Sequence, residues 1–199
     1  MNRQANTGLS VGVVFLAWLV HQAAPAEDGS QARIESGSLR AVVADNAAYG
    51  KDHRRGYSGL SELYHGSSGR SIFVPAYAGL NYEHIFSGDS ASYGWNIFEP
   101  RVAAIKLRRV GEKKVELSQE RTANWPLRGR LSYELAGEDA VEMRASFRPL
   151  EDAWKKHGYI GVFFASYIHA PENMAIHFIG RSRPGKGKAA PRWINHLPA

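Results

Sequence analysis

The sequence has no cysteine among its 199 residues. Disulfide bonds, redox thiols and cysteine-bound zinc are therefore excluded. Because no covalent cross-link is available, the fold must be stabilised by its own apolar core. The chain is long enough to form one domain of ordinary size around such a core.

Long apolar runs are also missing, with one short exception near the beginning. Residues 11–20 are an apolar stretch of about ten residues, whereas a transmembrane helix needs about 20. Arg3 precedes this stretch, and Ala24 and Ala26 follow it with the small side chains of a signal-peptidase site. Residues 1–26 are therefore predicted to be a signal peptide. The mature protein would begin at Glu27, be secreted or periplasmic, and lie free of the membrane; an uncleaved anchor is the alternative.

The rest of the chain lacks an excess of charge of either sign until its last residues. One of the 25 basic residues lies before residue 27 and five lie after residue 180, while all 19 acidic residues lie between these limits. Residues 27–180 therefore have no net charge and no overall field that attracts a phosphate backbone. Nucleic acid is not an expected partner.

Several motifs are absent as well. The sequence has no G-x-S-x-G, no phosphate-binding glycine loop and no dinucleotide fingerprint. No window shows a convincing 3.6-residue apolar period. We therefore predict no hydrolase triad, no nucleotide cofactor and little helix.

What is present is an apolar period of two from Ile34 onward. Between residues 105 and 147 four such runs, each with one polar face, are separated by turns near Gly111 and Gly137. This pattern indicates antiparallel strands that pack on a core from one side. More apolar runs flank this meander, including residues 159–168 and 174–179, which we expect to pair with each other. About ten strands without helices predict an all-β fold, an antiparallel β-sandwich over residues 27–180.

The composition changes after Gly180. Residues 181–199 are basic and contain glycine and proline without apolar periodicity, which predicts a tail outside the sandwich. This prediction does not account for three large apolar residues, Trp193, Ile194 and Leu197, because such side chains are uncommon in exposed terminal segments. The alternative is a truncated continuation of the domain, with a further ordered segment beginning near Trp193.

Clusters of polar and aromatic residues interrupt the regular runs and suggest a binding site. Carboxylates and amides hydrogen-bond to hydroxyl groups, and aromatic rings stack on the apolar face of a pyranose. The ligand that we predict is therefore a saccharide. The candidate substrate-binding residues are Asn81, Glu83, Trp95, Glu99, Arg101, Trp125, Tyr167 and Glu172.

Two histidines are further candidates, and each also has a structural interpretation. His84 alternates with Tyr82 and Phe86 along one face of a predicted strand, where a partly buried structural histidine is common. His169 lies with Glu172 at the end of an apolar strand, where functional residues gather. His169, Glu172 and His177 together are a His/Glu/His set of a kind that binds zinc or iron. Their spacing, however, matches neither H-E-x-x-H nor H-x-H. We predict no metal and no other cofactor.

Four strings of sequence carry a resemblance to known proteins, at residues 56–63, 73–86, 98–101 and 158–172. They resemble a family of secreted bacterial proteins of uncharacterised function. More remotely, the meander from Val102 to Phe147 resembles part of the galactose mutarotase-like supersandwich of aldose epimerases. That resemblance implies a histidine general acid and a glutamate general base at the sugar, and it implies His84 and His169 as catalytic positions. Such domains run to about 250 residues, so it also implies that this sandwich is incomplete at its C-terminal end.

The sequence thus admits three interpretations. The first is an exported carbohydrate-binding or carbohydrate-active domain of mutarotase-like type. The second is a non-catalytic exported binding or surface module without sugar activity, and the third is a metal-dependent enzyme. The first predicts that His84, His169 and either Glu62 or Glu99 converge on one concave face, whereas scattered positions favour the second.

Overall fold

A computed structural model describes residues 29–52, 54–75, 77–87, 97–152, 154, 157–169, 175–180 and 191–196. The predicted signal peptide, Trp95, Glu172 and residues 181–190 and 197–199 lie outside the described residues. Within these ranges the fold consists mostly of antiparallel strands, with one helix of four residues. The prediction of an all-β, antiparallel, sandwich-like fold is confirmed.

The elements follow one another along the chain as short strands joined by turns and loops. They are β1 (Gln31–Ser36), β2 (Leu39–Ala44), β3 (Gly59–His65), β4 (Asn81–Phe86), α1 (Glu99–Val102), β5 (Ile105–Gly111), β6 (Lys114–Gln119), β7 (Leu127–Ala136), β8 (Ala140–Pro149), β9 (Gly161–Ala165), β10 (Ile176–Gly180) and β11 (Arg192–His196).

The predicted meander forms one four-stranded sheet in the order β5-β6-β7-β8. Val115 lies opposite Tyr133, and Leu117 lies opposite Leu131, so apolar side chains are aligned across the sheet. Because successive side chains point to opposite faces of a strand, these residues line one buried face while charged residues occupy the other. The period-two pattern of the sequence therefore corresponds directly to an inner and an outer face.

A three-stranded sheet in the order β1-β2-β3 covers the inner face of the meander. Ile34, Val43 and Leu60 from this sheet are buried in the same core as Leu117 and Leu131 from the meander. Burying apolar side chains contributes roughly 1.5–3 kcal/mol for each large one. This shared core replaces the disulfides that the sequence cannot form.

The segment between β3 and β4 joins the three-stranded sheet to a two-stranded sheet of β4 and β9. Leu60 and Gly79 exchange two backbone hydrogen bonds, of 3.0 and 2.8 Å. A β-bridge also pairs Phe73 with Ile168, shortly after β9. The ring of Phe73 lies directly over Gly79, where a Cβ atom would come within 2.0 Å of it. Glycine at this position is therefore a packing requirement.

The expected pairing of residues 174–179 with residues 159–168 is wrong, because β9 pairs with β4 and β10 pairs with β11. Arg192–His196 is strand β11, so part of the predicted tail is ordered sheet. Its Trp193 lies opposite Ile179, and both side chains are mainly exposed. In the ranges that the structure describes, no helix is long and apolar enough to cross a membrane.

The contact at Gly79 leads to a stability prediction. Gly79→Ala places a methyl group 2.0 Å from a ring atom of the buried Phe73. Because the core must shift to remove this overlap, we expect the free energy of unfolding to fall by about 1–3 kcal/mol. Gly69→Ala is the matched control, because an added Cβ there meets no atom within 4 Å. Urea denaturation of both variants measures the difference. Equal stability of the two variants would contradict the packing role.

Candidate functional site

A β-bulge in β4 creates a polar region in the molecular interior. The pairing with β9 shifts register between Tyr82 and His84, which leaves Glu83 as an extra residue. As a result, Tyr82 and Ile85 both lie in the main core, and the alternation expected for Tyr82, His84 and Phe86 is broken. Bulges redirect side chains in this way. Glu83 and His84 therefore come together, with His84 Nε2 3.9 Å from Glu83 Oε1.

The carboxylate of Glu83 is buried and has only long contacts. The residue is 5% exposed. Arg101 Nη1 lies 3.6 Å from Oε1, and the hydroxyl of Tyr167 donates to both carboxylate oxygens over 3.4 Å. Burial raises the pKa of the Tyr167 hydroxyl, and the negative charge of Glu83 raises it further. The hydroxyl therefore stays protonated at neutral pH and can act as the donor.

Aromatic rings surround this charged group. The guanidinium of Arg101 lies 4.1 Å from the ring centroid of Tyr57, a cation–π distance. Tyr77 contacts Tyr57 at 5.0 Å and Tyr167 at 4.4 Å between ring centroids. Phe98 meets the ring of His84 edge-on at 4.3 Å. We call this set the Glu83 cluster; its members are Tyr57, Tyr77, Glu83, His84, Phe98, Arg101 and Tyr167.

The short helix α1 holds Arg101 in place. Side-chain amides of the buried Asn46 and Gln119 donate to the backbone carbonyls of Pro100 and Ala103, with distances of 2.6–3.1 Å. These carbonyls would otherwise be unsatisfied at the end of the helix. These hydrogen bonds fix the position of the helix and therefore the backbone position of Arg101.

Two nitrogen atoms of the cluster have no hydrogen-bond partner among the described residues. They are His84 Nε2 and Arg101 Nε, and both are buried. Phe163 stacks on the His84 ring at 5.1 Å, so the imidazole contacts two aromatic residues. Buried polar atoms in native proteins normally have partners, so these two nitrogens are candidate donors toward a ligand.

A cavity of about 410 Å³ lies beside the cluster. Phe98 and Arg101 belong to both the cluster and the cavity wall. Arg55 and Asn46 also line the cavity, and Phe98 is 41% exposed. An aromatic ring, two guanidinium groups and an amide therefore border one concave space.

The other sequence-predicted residues lie elsewhere or act in the fold. Asn81 is fully buried, and its side-chain oxygen accepts a hydrogen bond from the backbone N–H of Ser58 at 3.0 Å. Trp125 is 1% exposed and lies in the core, so its ring offers no open face for stacking. Glu62 accepts a hydrogen bond from Tyr64 in β3, and among the described residues no hydrogen bond or ion pair joins it to the Glu83 cluster.

Glu99 also faces away from the cluster. Its buried carboxylate accepts hydrogen bonds from the Thr122 hydroxyl and from both the backbone and the side chain of Asn124. It thereby ties helix α1 to the loop before β7. This position gives Glu99 a structural role and leaves Glu83 as the acidic residue of the cluster.

His169 is placed through its backbone, whose N–H donates to the carbonyl of Ile72 at 2.8 Å. Its Nδ1 is buried without a hydrogen-bond partner in the described ranges, but no recorded contact joins it to Glu83 or His84. His177 is exposed in β10. Among the described residues no three His, Cys, Asp or Glu side chains form a metal-binding group.

Comparisons with known proteins give no further guidance. No protein-family model, no curated protein and no solved structure matches this chain. The resemblance to mutarotase-like supersandwiches therefore stays a prediction from the sequence.

Sequence reasoning missed four residues of the site, namely Tyr57, Tyr77, Phe98 and Arg55. Tyr57, Tyr77 and Phe98 lie within the strings that carry the resemblance, and no pattern in the sequence marks them or Arg55 as site residues. The sequence feature that could have indicated these residues is the frequency of tyrosine and phenylalanine beside predicted loops. That signal does not say which rings meet, because the contacts join segments far apart in sequence.

The position of Glu99 leads to a second stability prediction. Glu99→Ala removes the acceptor of the buried Thr122 hydroxyl and of Asn124, so we expect a loss of about 1–3 kcal/mol, the cost of one unsatisfied buried group. Glu142→Ala is the control, because its ion pair with Arg144 is exposed and contributes less than about 1 kcal/mol. Chemical denaturation compares the two. A Glu99→Ala variant as stable as the control would contradict the structural role.

Proposed function

We propose that this protein binds a saccharide at the Glu83 cluster and in the cavity beside it. The observation that carries the proposal is the unfilled hydrogen-bonding capacity of the cluster. Among the described residues, the buried Glu83 carboxylate has no contact shorter than 3.4 Å. Buried carboxylates normally have donors at about 2.7–2.9 Å, so hydroxyl groups of a ligand would fill a real deficit.

The cavity supports the same conclusion by its size and its lining. Its volume of about 410 Å³ lies in the usual range for small-molecule sites, about 300–1,000 Å³. The exposed ring of Phe98 offers a stacking surface for the apolar face of a sugar. Arg55 and Arg101 donate to hydroxyl or ring oxygens, and Glu83 accepts from a hydroxyl group.

Binding is favoured over catalysis as the primary function. For the carbohydrate interpretation, binding and catalysis alike, the sequence criterion was convergence of His84 and His169 with Glu62 or Glu99. Scattered positions favour a module without sugar activity. Glu99 instead bonds to Thr122 and Asn124, and Glu62 bonds to Tyr64. The saccharide proposal therefore rests on the Glu83 cluster and its cavity, and it does not extend to catalysis by these carboxylates. We therefore propose a secreted or periplasmic saccharide-binding protein, in which export rests on the predicted signal peptide.

Saccharide binding can be tested by substituting the aromatic side chain that is proposed to stack on the sugar. Phe98→Ala removes the proposed stacking surface, so we expect the affinity for a saccharide found on a glycan array to fall about tenfold or more. Phe86→Ala is the matched control, because Phe86 is similarly exposed at 44% but does not line the cavity. Titration calorimetry measures both variants, and circular dichroism checks that both are folded.

Two results would contradict the binding proposal. One is an array on which the wild-type protein binds no glycan. The other is an affinity that the two variants lose equally. Either result would favour an exported module without sugar activity.

Proton transfer is a second candidate function, because one observation specifically supports it. Within the described part of the chain His84 Nε2 has no hydrogen-bond partner, and it lies 3.9 Å from the Glu83 carboxylate, so an imidazole and a carboxylate adjoin at the site. In an anomer-interconversion assay, wild type should then exceed the buffer rate, and His84→Ala should lose at least about 100-fold with binding nearly intact. His169→Ala is the comparison variant. A wild-type rate no higher than buffer ends the catalytic candidate and leaves the binding proposal standing.

A further inference from the structure

The outer face of the four-stranded sheet carries many charges, and most of them are paired. Four basic residues each have an acidic partner at 2.6–2.9 Å. The pairs are Arg108 with Glu116, Lys114 with Glu134, Arg128 with Glu120, and Arg144 with Glu142. Neutralisation by neighbouring acids is therefore the rule on this face.

Arg130 and Arg148 depart from that rule. Neither has an ion-paired or hydrogen-bonded side-chain partner among the described residues. In the strand register Arg130 lies between Ser118 of β6 and Ser146 of β8, and Lys106 follows beyond Ser118. This row across the sheet contains hydroxyl groups and positive charges but no carboxylate.

The register also places Arg148 directly opposite Arg128. Side chains at directly opposite positions have Cβ atoms about 4.5–5.5 Å apart, and like charges there destabilise the sheet. Glu120 neutralises Arg128 at 2.6 Å, which leaves the charges of Arg130 and Arg148 uncompensated. Arg148 therefore has a like charge directly opposite and no acidic partner among the described residues.

These side chains enclose a small depression. Arg128, Arg130, Ser146 and Arg148 line a cavity of about 200 Å³ between β7 and β8. This volume is below the range of about 300–1,000 Å³ that small-molecule sites occupy, but it accommodates a single anionic group. Guanidinium groups bind phosphate-like oxyanions through two parallel N–H donors each.

We propose that Arg130, Arg148 and Ser146 bind a tetrahedral oxyanion, a sulfate or phosphate group, on the outer face of the four-stranded sheet. Donors reach this group from both strands, which suits oxygens that point in several directions better than the two coplanar oxygens of a carboxylate. The group is either a free inorganic anion or an ester on a larger molecule. This site is independent of the Glu83 cluster and of the function proposed for it.

Thermal unfolding of the purified protein tests the proposal. Sodium phosphate, sodium sulfate and galactose 6-sulfate are added in turn at millimolar concentration, with sodium chloride of equal ionic strength as the reference and galactose as the uncharged probe. At about 100 times the dissociation constant we expect the midpoint temperature to rise by about 5 °C above the chloride reference. A double variant, Arg130→Gln with Arg148→Gln, should lose this rise.

The controls separate a site from a general salt effect. The double variant Arg108→Gln with Arg144→Gln removes the same charge from the same face, and it should keep the full response. Without any oxyanion, Arg148→Gln should be at least as stable as wild type, because a like-charge contact is relieved. Sulfate also stabilises proteins nonspecifically, but it does so equally in all variants.

Each outcome decides the question. A rise in midpoint temperature with the inorganic anions supports a site for the free anion. A rise with galactose 6-sulfate alone supports a site for a sulfate ester. In both cases the rise must be lost in the Arg130/Arg148 double variant and kept in the Arg108/Arg144 double variant. No rise in wild type with any of the three charged probes overturns the proposal. An equal rise in both double variants overturns it as well.

Discussion

The buried ring of Tyr133 lies where three of the four described sheets approach one another. It lies on β7, is fully buried, and its hydroxyl donates to the backbone carbonyl of Leu80 at 2.8 Å, one residue before β4 begins. A Cβ atom on Gly59 of β3 would lie 3.1 Å from the same hydroxyl. One side chain therefore sets the distance between the meander, the three-stranded sheet and the strand that carries Glu83. Without disulfides, contacts of this kind alone hold the sheets in register.

The properties of the site follow from one irregularity in that framework. A regular strand would have sent Glu83 and His84 to opposite faces. The bulge brings His84 close to Glu83, which contacts Arg101 and Tyr167, while Tyr82 and Ile85 still reach the core. Keeping a carboxylate there is costly, because burial removes its water and its contacts to Arg101 and Tyr167 are long. This cost is the physical reason for proposing Glu83 as a ligand-binding residue.

Charge is distributed very differently over the two regions proposed to bind ligands. At the Glu83 cluster a single buried acid faces one guanidinium and several aromatic rings, so the recognition would rest on hydrogen bonds and ring stacking. On the outer face of the meander, guanidinium groups without acids meet hydroxyl groups in the open, so recognition would rest on charge. The zero net charge of residues 27–180 conceals this difference, because it sums over both regions.

The sequence by itself determined the all-β class, the four strands of the meander and which side of each faces the core. These features are local, because a period of two needs only neighbouring residues to be read. It also identified Glu83, His84, Arg101 and Tyr167 by residue type. Only the tertiary structure decided that these four meet, that Glu99 turns to Thr122, that Trp125 is in the core, and that β10 pairs with β11. The physical reason is that a bulge, a buried hydrogen bond and the choice of a partner strand depend on contacts between segments far apart in the chain, and no local pattern encodes them.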